Sequence, residues 1–501
     1  MEEFISDNSV YAHAKGNSMI NPKMIARVLG VLLFIEFWMF LLCAAISLGY
    51  GEKDYIYFLY TSVINAVVGG LLVLYGRGAE NIMSRRDGYC VVTLSWVFFT
   101  AFGMLPFYFS GSITTITNAF FETMSGFTTT GATILDDIES LSHGMLFWRS
   151  LTQWIGGLGI VFFTIAILPI FTSGGVQLFS AESTGVTHDR THPKINVMAK
   201  WLWSVYLILT VSEAILLMFG GMNLFDAICQ SFTTTATGGY STKQASISYW
   251  NSPYIEYVVA IFMILSGMNF SLYLMCMKGK ISRLFKDEEL HWFLGSVGVL
   301  TLMITLALVF QNHYGWELAF RKSLFQVATA HTSCGFATDD FNMWPQFTWL
   351  LLFIAMISGG CTGSTSGGIK NMRLLIFARS VRNEFKRLLH PSAVIPMRVN
   401  DRTVAPSIVS TVLLFFAFYL TIAFIGWTVL LFLGVGFAES ISTVLSCMGN
   451  VGPGVGSCGP AYSWNALPDA AKWVLSFLML IGRLELFSVL LLFYPGFWEN
   501  H

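Results

Sequence analysis

The stretch GFTTTGAT, residues 126–133, sets three consecutive threonines and a glycine inside a strongly apolar chain. Of the 501 residues, 54% are hydrophobic and 11% are charged, whereas an ordinary soluble domain carries about 25% charged residues. Apolar runs of about twenty residues recur, and each is long enough to cross a hydrocarbon core about 30 Å thick as a helix. The sequence therefore predicts an all-α polytopic membrane protein, in which this polar turn needs an explanation.

Three further stretches resemble the first one and show that the chain repeats itself. They are TTTATGGYST at 233–242, ATAHTSCGFAT at 328–338 and SCMGNVGPGVG at 446–456. Aligned on one glycine each, the four copies centre on Gly131, Gly238, Gly335 and Gly452, at spacings of 107, 97 and 117 residues. Repetition at this spacing indicates one fold unit used four times.

A short apolar segment precedes each copy, and long apolar segments flank it on both sides. A segment of about a dozen residues reaches only about 18 Å as a helix, so it does not span the bilayer. We predict four pseudo-repeats of helix, re-entrant pore half-helix and helix around one central pore. Two extra N-terminal transmembrane helices, near 28–49 and 56–76, bring the total to ten spans. The predicted units are 1–88 for this pair and 89–190, 191–286, 287–400 and 401–501 for the four repeats.

The basic residues predict the orientation of the chain. Of the 28 Lys and Arg residues, 21 fall in five segments: the N-terminus, 76–90, 180–200, 278–290 and 370–403. The positive-inside rule assigns these segments, and with them both termini, to the cytoplasm. The net charge of −1 argues against a nucleic-acid partner. The motifs HExxH and GxSxG are absent from the sequence, and we do not expect an enzyme.

The repeated turns are best explained by a pore for a cation. Non-helical backbone at membrane depth is tolerated only where protein covers it or where it lines a water-filled cavity. Four turns that enter from one side most economically meet on one axis, where backbone carbonyl groups replace the hydration shell of a monovalent cation. The C-terminal ends of the half-helices add their negative dipole ends. For any single turn, an ordinary glycine-capped helix end is the alternative.

Over nearly its whole length the sequence resembles the TrkH branch of the Trk/Ktr/HKT superfamily of potassium-uptake proteins. The motifs that carry the resemblance are MSGFTTTGAT, RSLTQWIGGLGI, ATGGYST, SGMNF, GGCTGSTSGGIK, GNVGPG and IGRLELF. The resemblance implies potassium uptake across the bacterial cytoplasmic (inner) membrane through a gated, channel-like pore. K+ is then the transported ion, with Rb+ as its analogue, and the chain binds no cofactor. A homodimer and a cytosolic, nucleotide-binding TrkA-type ring are the implied partners, besides the lipid bilayer.

By this resemblance, backbone segments of the four copies form a K+ selectivity filter. Its residues are Thr128, Thr129, Thr130, Gly131, Thr235, Ala236, Thr237, Gly238, Ser333, Cys334, Gly335, Asn450, Val451 and Gly452. The expected K+ ligands are Thr129, Thr130, Ala236, Thr237, Ser333, Cys334, Asn450 and Val451. In the superfamily, a serine in place of the first filter glycine goes with sodium permeation, so four glycines imply potassium selectivity. The fourth copy lacks the threonine pattern, which suggests one well-defined ion site.

The stretch ISGGCTGSTSGGIK, residues 357–370, interrupts the second long helix of the third repeat. Five glycines in ten residues would each cost a helix roughly 1 kcal/mol, so the helix should break within the membrane. The spacing GxxxxGK[ST] of a phosphate-binding loop is absent. We favour an intramembrane loop that obstructs the pore over a flexible kink. The resemblance implies the same for Gly359, Gly360, Cys361, Thr362, Gly363, Ser364, Thr365, Ser366, Gly367 and Gly368.

Arg483 lies in the last apolar segment, where a charge is a functional hypothesis by default. We predict that it faces the pore and repels cations until the gate moves; by the resemblance, the matching arginine of the family is placed similarly. A structural ion pair with Glu485 or another acid is the alternative. For Asn269, a hydrogen bond across helices and a gating role both stay open. His331, inside the third copy, is predicted to be structural rather than to act at the filter.

Two charged regions and one rival function complete the expectations. Five acids just outside the filter copies raise the local cation concentration or are ordinary solvated loop charges: Asp136, Asp137, Glu139, Asp339 and Asp340. The basic stretch 379–402 suits anionic lipid headgroups. A secondary transporter that couples K+ to H+ or Na+ is the alternative function. The broken segment of Gly, Ser and Thr and the filter copies without a carboxylate favour a channel.

Overall fold

The computed structural model describes residues 20–79, 83–159, 195–400, 402–460 and 462–499. Two long helices, α1 (Pro22–Gly49) and α2 (Tyr55–Tyr75), pack along each other at the start of the described chain. Gly30 and Gly69 allow the close approach, because a Cβ added to Gly30 would lie 2.6 Å from the carbonyl oxygen of Gly69. Small residues at helix crossings are typical of membrane helices. Inside the pair, Asn65 donates a hydrogen bond of 2.9 Å to the buried carboxylate of Glu36.

The helices that follow come in a repeated order of long helix, short helix and second helix. The first group is α3 (Arg85–Gly103) with α4 (Leu105–Phe109), α5 (Ile116–Phe127) and α6 (His143–Leu158). The second is α7 (Ile195–Phe219), α8 (Leu224–Thr235) and α9 (Pro253–Ser266) with α10 (Phe270–Met277). The third is α11 (Glu288–Gln311), α12 (Trp316–His331) and α13 (Gln346–Ser358) with α14 (Asn371–Leu389). The fourth is α15 (Pro406–Phe432), α16 (Phe437–Gly449) and α17 (Asp469–Arg483) with α18 (Phe487–Leu490).

Short elements connect these helices. A two-stranded antiparallel hairpin, β1 (Arg398–Val399) and β2 (Arg402–Thr403), precedes α15 and pairs Arg398 with Thr403. Single 3₁₀ turns lie at Ser246–Trp250, Ile281–Lys286, Phe341–Met343, Gly456–Cys458, Leu491–Phe493 and Pro495–Phe497. The protein is thus mostly helical, as the sequence predicts.

Six helical segments of the described chain are long and apolar enough to cross a membrane. They are Pro22–Gly49, Tyr55–Tyr75, Arg85–Phe109, Ala199–Phe219, Glu288–Gln311 and Pro406–Phe432. Two more spans result if each of two bent helix pairs counts as one, which gives up to 8. The predicted second span of the first repeat continues from α6 into residues 160–194, which lie outside the described residues, as do the N-terminal segment and most of 180–200. The ten-span count and the orientation therefore stay predictions.

Helices α5, α8, α12 and α16 are the short helices that the sequence predicts before each glycine turn. They have 12, 12, 16 and 13 residues, or about 18–24 Å at 1.5 Å per residue. Polar caps start two of them: Thr115 accepts from the amide of Asn118, and Asn223 accepts from the amide of Asp226. A helix of this length with a defined start and a glycine turn at its end reaches only part of the way through a bilayer.

The short helices contact the second helices in cyclic order. Each packs against the second helix of its own group and against that of the preceding group: α8 on α6, α12 on α9, α16 on α13, and α5 on α17. The last contact joins the fourth group to the first, so the arrangement closes on itself. The C-terminal ends of the four short helices consequently come together at its centre.

All four second helices end or bend at a similar position, whereas the sequence analysis predicts a break only in the third. Helix α6 ends at Leu158, before Gly159 with φ 90°. Helices α9 and α10 meet at 91°, and α13 ends at Ser358 as predicted. In the last apolar segment, α17 ends at Arg483 and the chain turns by 113°.

The turn after Arg483 has a local physical cause. Glu485 and Leu486 adopt left-handed backbone conformations, with φ 54° and 59°, which cost side-chain-bearing residues about 1–3 kcal/mol each. The carboxylate of Glu485 forms ion pairs with Lys370, at 3.3 Å, and with Arg373. Because these contacts need the carboxylate on the side of α14, they help to hold the strained turn in place.

Candidate functional site

The four glycine turns have the same backbone conformation. Thr129, Thr237, Ser333 and Asn450 are left-handed, with φ between 53° and 55°. Two residues further on, Gly131, Gly239, Gly335 and Gly452 are also left-handed, with φ from 80° to 109°. In each turn the amide between these two positions donates to the carbonyl oxygen five residues earlier, at 2.8–2.9 Å. This is the hydrogen bond of a Schellman helix end. The turns are therefore residues 128–131, 236–239, 332–335 and 449–452, called turns 1 to 4 below.

The predicted register of the second copy is wrong by one residue. The glycine equivalent to Gly131 is Gly239, not Gly238, because only Gly239 has a positive φ. Thr235 is the last residue of α8, and Ala236 corresponds to Thr128 rather than to the predicted ligand Thr129. The sequence alignment used the first of two adjacent glycines, and the backbone conformation shows that the second one is equivalent.

The turns touch one another in a closed ring. A Cβ added to the left-handed glycine of one turn would lie within 2.7 Å of a carbonyl oxygen in the next turn, closer than real Cβ atoms come. The distances are 2.2 Å from Gly131 to Gly238, 2.1 Å from Gly239 to Cys334, 2.1 Å from Gly335 to Val451, and 2.7 Å from Gly452 to Thr130. Each of these carbonyl groups belongs to the residue before the neighbouring glycine. Each of these positions thus requires glycine for two reasons: the positive φ angle and the lack of space for a Cβ atom.

Most residues of the ring are buried, although several of them are polar, and Gly131, Gly239 and Gly335 are partly exposed. Thr128, Thr130, Thr237, Ser333 and Asn450 have no exposed surface. Turns 1 and 4 are joined by the side-chain amide of Asn450, which donates to Thr130 Oγ1 and to the carbonyl oxygen of Met479, both at 3.0 Å. In the fourth copy Asn450 therefore takes the place of the threonine pattern with both N–H bonds of its side chain paired, whereas its buried Oδ1 has no hydrogen-bond partner among the described residues.

The glycine-rich segment 359–370, called the loop below, lies at the C-terminal ends of the short helices. Thr365 Oγ1 donates to the carbonyl oxygen of Thr235 at 3.0 Å, next to turn 2. Ser366 Oγ lies 3.0 Å from Ser333 Oγ, and the amide of Gly367 donates to the same hydroxyl at 2.6 Å, in turn 3. Gly367 also packs on Gly449 of turn 4, since an added Cβ would lie 2.3 Å from the Gly449 carbonyl oxygen. The loop thus contacts three of the four turns.

Glu289 of α11 binds the backbone on both sides of the central part of the loop. Its buried Oε1 accepts from the amide of Thr362 at 2.6 Å and from that of Met372 at 3.0 Å. Asn269, for which two roles stayed open, caps α10 by accepting from the amide of Ser271 at 2.8 Å. Its side-chain oxygen also lies against Gly363, 2.9 Å from an added Cβ. Glu289 and Asn269 therefore contact the loop from α11 and α10, in addition to the contacts of its central residues with the turns.

Arg483 joins three parts of the structure through backbone carbonyl groups. Its Nη1 donates to Thr365 of the loop at 2.7 Å, and its Nη2 donates to Gly156 and Gly157 of α6 at 2.6 Å each. Glu485, the predicted alternative partner, forms ion pairs with Lys370 and Arg373. The guanidinium group therefore connects the end of α17 to the loop and to the end of α6.

The remaining predicted residues lie around the ring rather than in it. His331 contacts α11 and α13, with Nε2 2.9 Å from Ser296 Oγ and Nδ1 3.3 Å from the Ala355 carbonyl oxygen. Of the five acids, Asp339 accepts from Trp344 at 3.0 Å, and Asp136 accepts from Asn465 at 2.8 Å. Asp137 and Asp340 make local contacts, with Ser140 and Asn342, and Glu139 pairs with Lys243 of the second group.

Two buried ion-pair groups support the ring and are not assigned a role by the sequence analysis. Arg149 of α6 pairs with Glu122 of α5 at 2.9 Å, donates to the Ser241 carbonyl oxygen at 3.1 Å, and lies over the ring of Tyr240. Glu256 pairs with Arg321 and Lys322 at 2.6 and 2.8 Å. Basic residues outside the predicted cytoplasmic segments were the available signal, since a buried charge in a membrane needs a partner.

Comparisons with known proteins agree on one family. The family model TrkH, a cation transport protein, matches residues 57–499. The Trk system potassium uptake protein TrkH of Escherichia coli K12 is 38% identical over 482 residues, which cover 95% of this chain and 99% of the relative. TrkG of the same strain is 33% identical over 485 residues, with the same coverage. The crystal structure of the potassium transporter TrkH from Vibrio parahaemolyticus matches with a TM-score of 0.86 and 34% identity, over 95% of this chain and 99% of that chain.

Proposed function

The chain belongs to the TrkH family of cation transport proteins, and from this premise we propose that it takes up potassium through a gated, channel-like pore. The pore axis runs through the ring of turns 1 to 4. The four helix groups act as pseudo-repeats around this axis, with α1 and α2 as the additional pair, and the complete chain has ten spans. The closed ring of four turns is the observation that carries the proposal.

The ring is proposed to act as a selectivity filter. In the corrected register the filter consists of residues 128–131, 236–239, 332–335 and 449–452. Its ion ligands are backbone carbonyl groups of Thr129, Thr130, Thr237, Gly238, Ser333, Cys334, Asn450 and Val451. Such carbonyl groups replace the hydration shell of K+, and the C-terminal ends of α5, α8, α12 and α16 add negative potential. K+ is the transported ion, and the chain itself holds no cofactor.

The loop and Arg483 are proposed to form the gate. Thr365 and its neighbours lie at the ends of the short helices, where an ion leaving the ring would have to pass. The hydrogen bonds of Arg483 to the loop and to α6 hold the loop there, and its positive charge adds a barrier to cations. Opening then requires these bonds to break and the central part of the loop to move.

The setting of the pore is proposed from the family and from the charges. The protein lies in the bacterial cytoplasmic membrane with both termini inside, as a homodimer that carries a cytosolic TrkA-type nucleotide-binding ring. The C-terminal half of α14, with exposed Arg382, Lys386 and Arg387, lies in the stretch predicted to reach anionic headgroups. A nucleotide signal would then reach the gate without a nucleotide site in this chain.

Flux measurements in liposomes test the function. The purified protein is reconstituted, and 86Rb+ uptake is followed against an internal K+ load, with sodium and pH gradients imposed separately. We expect uptake that follows the K+ potential and does not change with the other two gradients. Uptake that requires a sodium or proton gradient would overturn the channel and establish the coupled transporter, the rival function.

A further inference from the structure

Turn 2 differs from the other three turns by a missing side chain. The residue before the left-handed glycine is Thr130, Cys334 or Val451 in turns 1, 3 and 4, but Gly238 in turn 2. The space next to Gly238 is filled from another part of the chain. A Cβ added to Gly238 would lie 2.4 Å from the amide carbon of Gln153, a residue of α6 with no exposed surface.

Gln153 forms two hydrogen bonds to the backbone of this part of the ring. Its Nε2 donates to the carbonyl oxygen of Gly238 at 2.7 Å. Its Oε1 accepts from the amide of Tyr240 at 3.0 Å. The orientation of the side chain is unambiguous, because a backbone carbonyl group only accepts and a backbone amide only donates. The glutamine therefore spans the left-handed Gly239 and ties the residues on both sides of it to α6.

The contact makes the carbonyl group of Gly238 different from its counterparts. Within the described residues, no hydrogen-bond donor lies on the carbonyl oxygens of Thr130, Cys334 or Val451. The carbonyl oxygen of Gly238 has one, and it is also the oxygen nearest to Gly131 of turn 1. One of the four equivalent oxygen atoms of the ring is thus held by a side chain.

Helix α6, which carries Gln153, packs closely against turns 1 and 2. Gly156 packs on Phe127 at the end of α5, and Gly157 packs on Ala236 of turn 2, where an added Cβ would lie 2.8 Å from the Cα atom. Helix α6 is thus wedged between turns 1 and 2. Gln153 lies one helical turn before these two glycines, so their close packing against the turns also fixes its position.

We propose that Gln153 is a positioning residue for potassium selectivity, which holds the Gly238 carbonyl group at the distance that suits K+. Na+ is smaller, so its coordination requires the ring oxygens to move inward. The hydrogen bond from Gln153 opposes this movement for Gly238, and the bond to Tyr240 fixes the other side of the turn. The proposal rests on the proposed function of the ring as a filter and adds a residue outside the turns that sets its selectivity.

The test compares Gln153→Leu and Gln153→Glu with the wild-type protein and with Gln326→Leu. Leucine removes both hydrogen bonds, whereas glutamate keeps the acceptor for the Tyr240 amide and loses only the donor to Gly238. Gln326 is the matched control, a buried glutamine of α12 with 1% exposed surface. Each protein is reconstituted, its thermal unfolding is recorded, and the ratio of Rb+ to Na+ uptake is measured under the same membrane potential.

We expect both Gln153 variants to lower the Rb+/Na+ ratio at least tenfold, with Gln326→Leu within twofold of wild type. An unchanged Rb+/Na+ ratio in the Gln153 variants, or an equal fall of the ratio in Gln326→Leu, would overturn the proposal. As long as the wild-type protein is selective, neither result would contradict the proposed function of the ring as a filter. If Gln153→Leu does not fold, Gln153→Glu decides in the same way. A wild-type protein that does not distinguish the two ions would overturn the proposed filter itself.

Discussion

Replacement of Arg483 is the sharpest test of the proposed gate. In Arg483→Gln the side chain is shorter and neutral, so it loses the donors that reach Thr365, Gly156 and Gly157 at 2.6–2.7 Å. The loop then keeps its contacts to the turns and to Glu289 but loses its connection to α6 and α17. We expect the loop to leave the conduction path more often, and ion flux to rise.

The contacts determine the size of the expected effect. A hydrogen bond from a charged group contributes about 1.5–3 kcal/mol when buried. Arg483 is only partly buried, and water replaces part of what is lost, so about 1 kcal/mol for each of its three bonds is the better estimate. The sum of about 3 kcal/mol corresponds to a shift of about 100-fold in the equilibrium between closed and open forms. Flux through a mostly closed protein should rise by up to this factor.

A second variant separates the hydrogen bonds from the charge. Arg483→Lys keeps the positive charge, but an ammonium group does not reproduce the planar fork that reaches carbonyl groups on two elements. If the bonds hold the gate, lysine should give most of the increase; if repulsion of cations dominates, lysine should behave like wild type. The assay is 86Rb+ flux in proteoliposomes, with Lys472→Gln as a control in the same helix. Flux of a folded Arg483→Gln that stays at or below wild type would refute the reasoning.

Three further predictions follow from other contacts. Gly239→Ala should lower Rb+ uptake at least tenfold, because its Cβ would lie 2.1 Å from a backbone oxygen. Gly221 is also left-handed but has open space around it, so Gly221→Ala should keep most of the uptake. An equal loss of uptake in the two variants would contradict the close contact between neighbouring turns of the ring. Arg149→Leu should destabilise the protein by about 3–5 kcal/mol, because it leaves the buried Glu122 unpaired. Thermal unfolding in detergent measures this loss of stability, with Arg387→Leu, at an exposed position, as the control. A similar melting temperature for the two variants would disprove the prediction. Glu289→Leu should raise basal Rb+ flux severalfold, because the amides of Thr362 and Met372, on either side of the central part of the loop, lose their acceptor. The neighbouring Glu288→Leu should not raise the flux, and lower flux in the first variant would argue against an obstructing loop.

Local chemistry was enough to predict the main elements. Helix-length apolar runs indicated the membrane class, and the four glycine turns behind segments of about a dozen residues predicted α5, α8, α12 and α16. The five glycines of 359–368 predicted the end of α13. Each of these features depends on hydrophobicity, helix length or glycine content, which are properties of short stretches of chain.

The tertiary structure decided everything that depends on distant residues meeting. Gly238 and Gly239 are equivalent in sequence, and only the contact of Gly239 with Cys334, 95 residues further along the chain, requires the second one to be left-handed. The bend after Arg483 depends on ion pairs between Glu485 and α14. Gln153 is one of several polar residues in the sequence of α6, beside Ser150 and Thr152, and its contact with turn 2 follows only from the packing of α6. These properties depend on which backbone groups still need a hydrogen-bond partner, and which space is left, after the helices have packed together. No short stretch of the sequence contains that information.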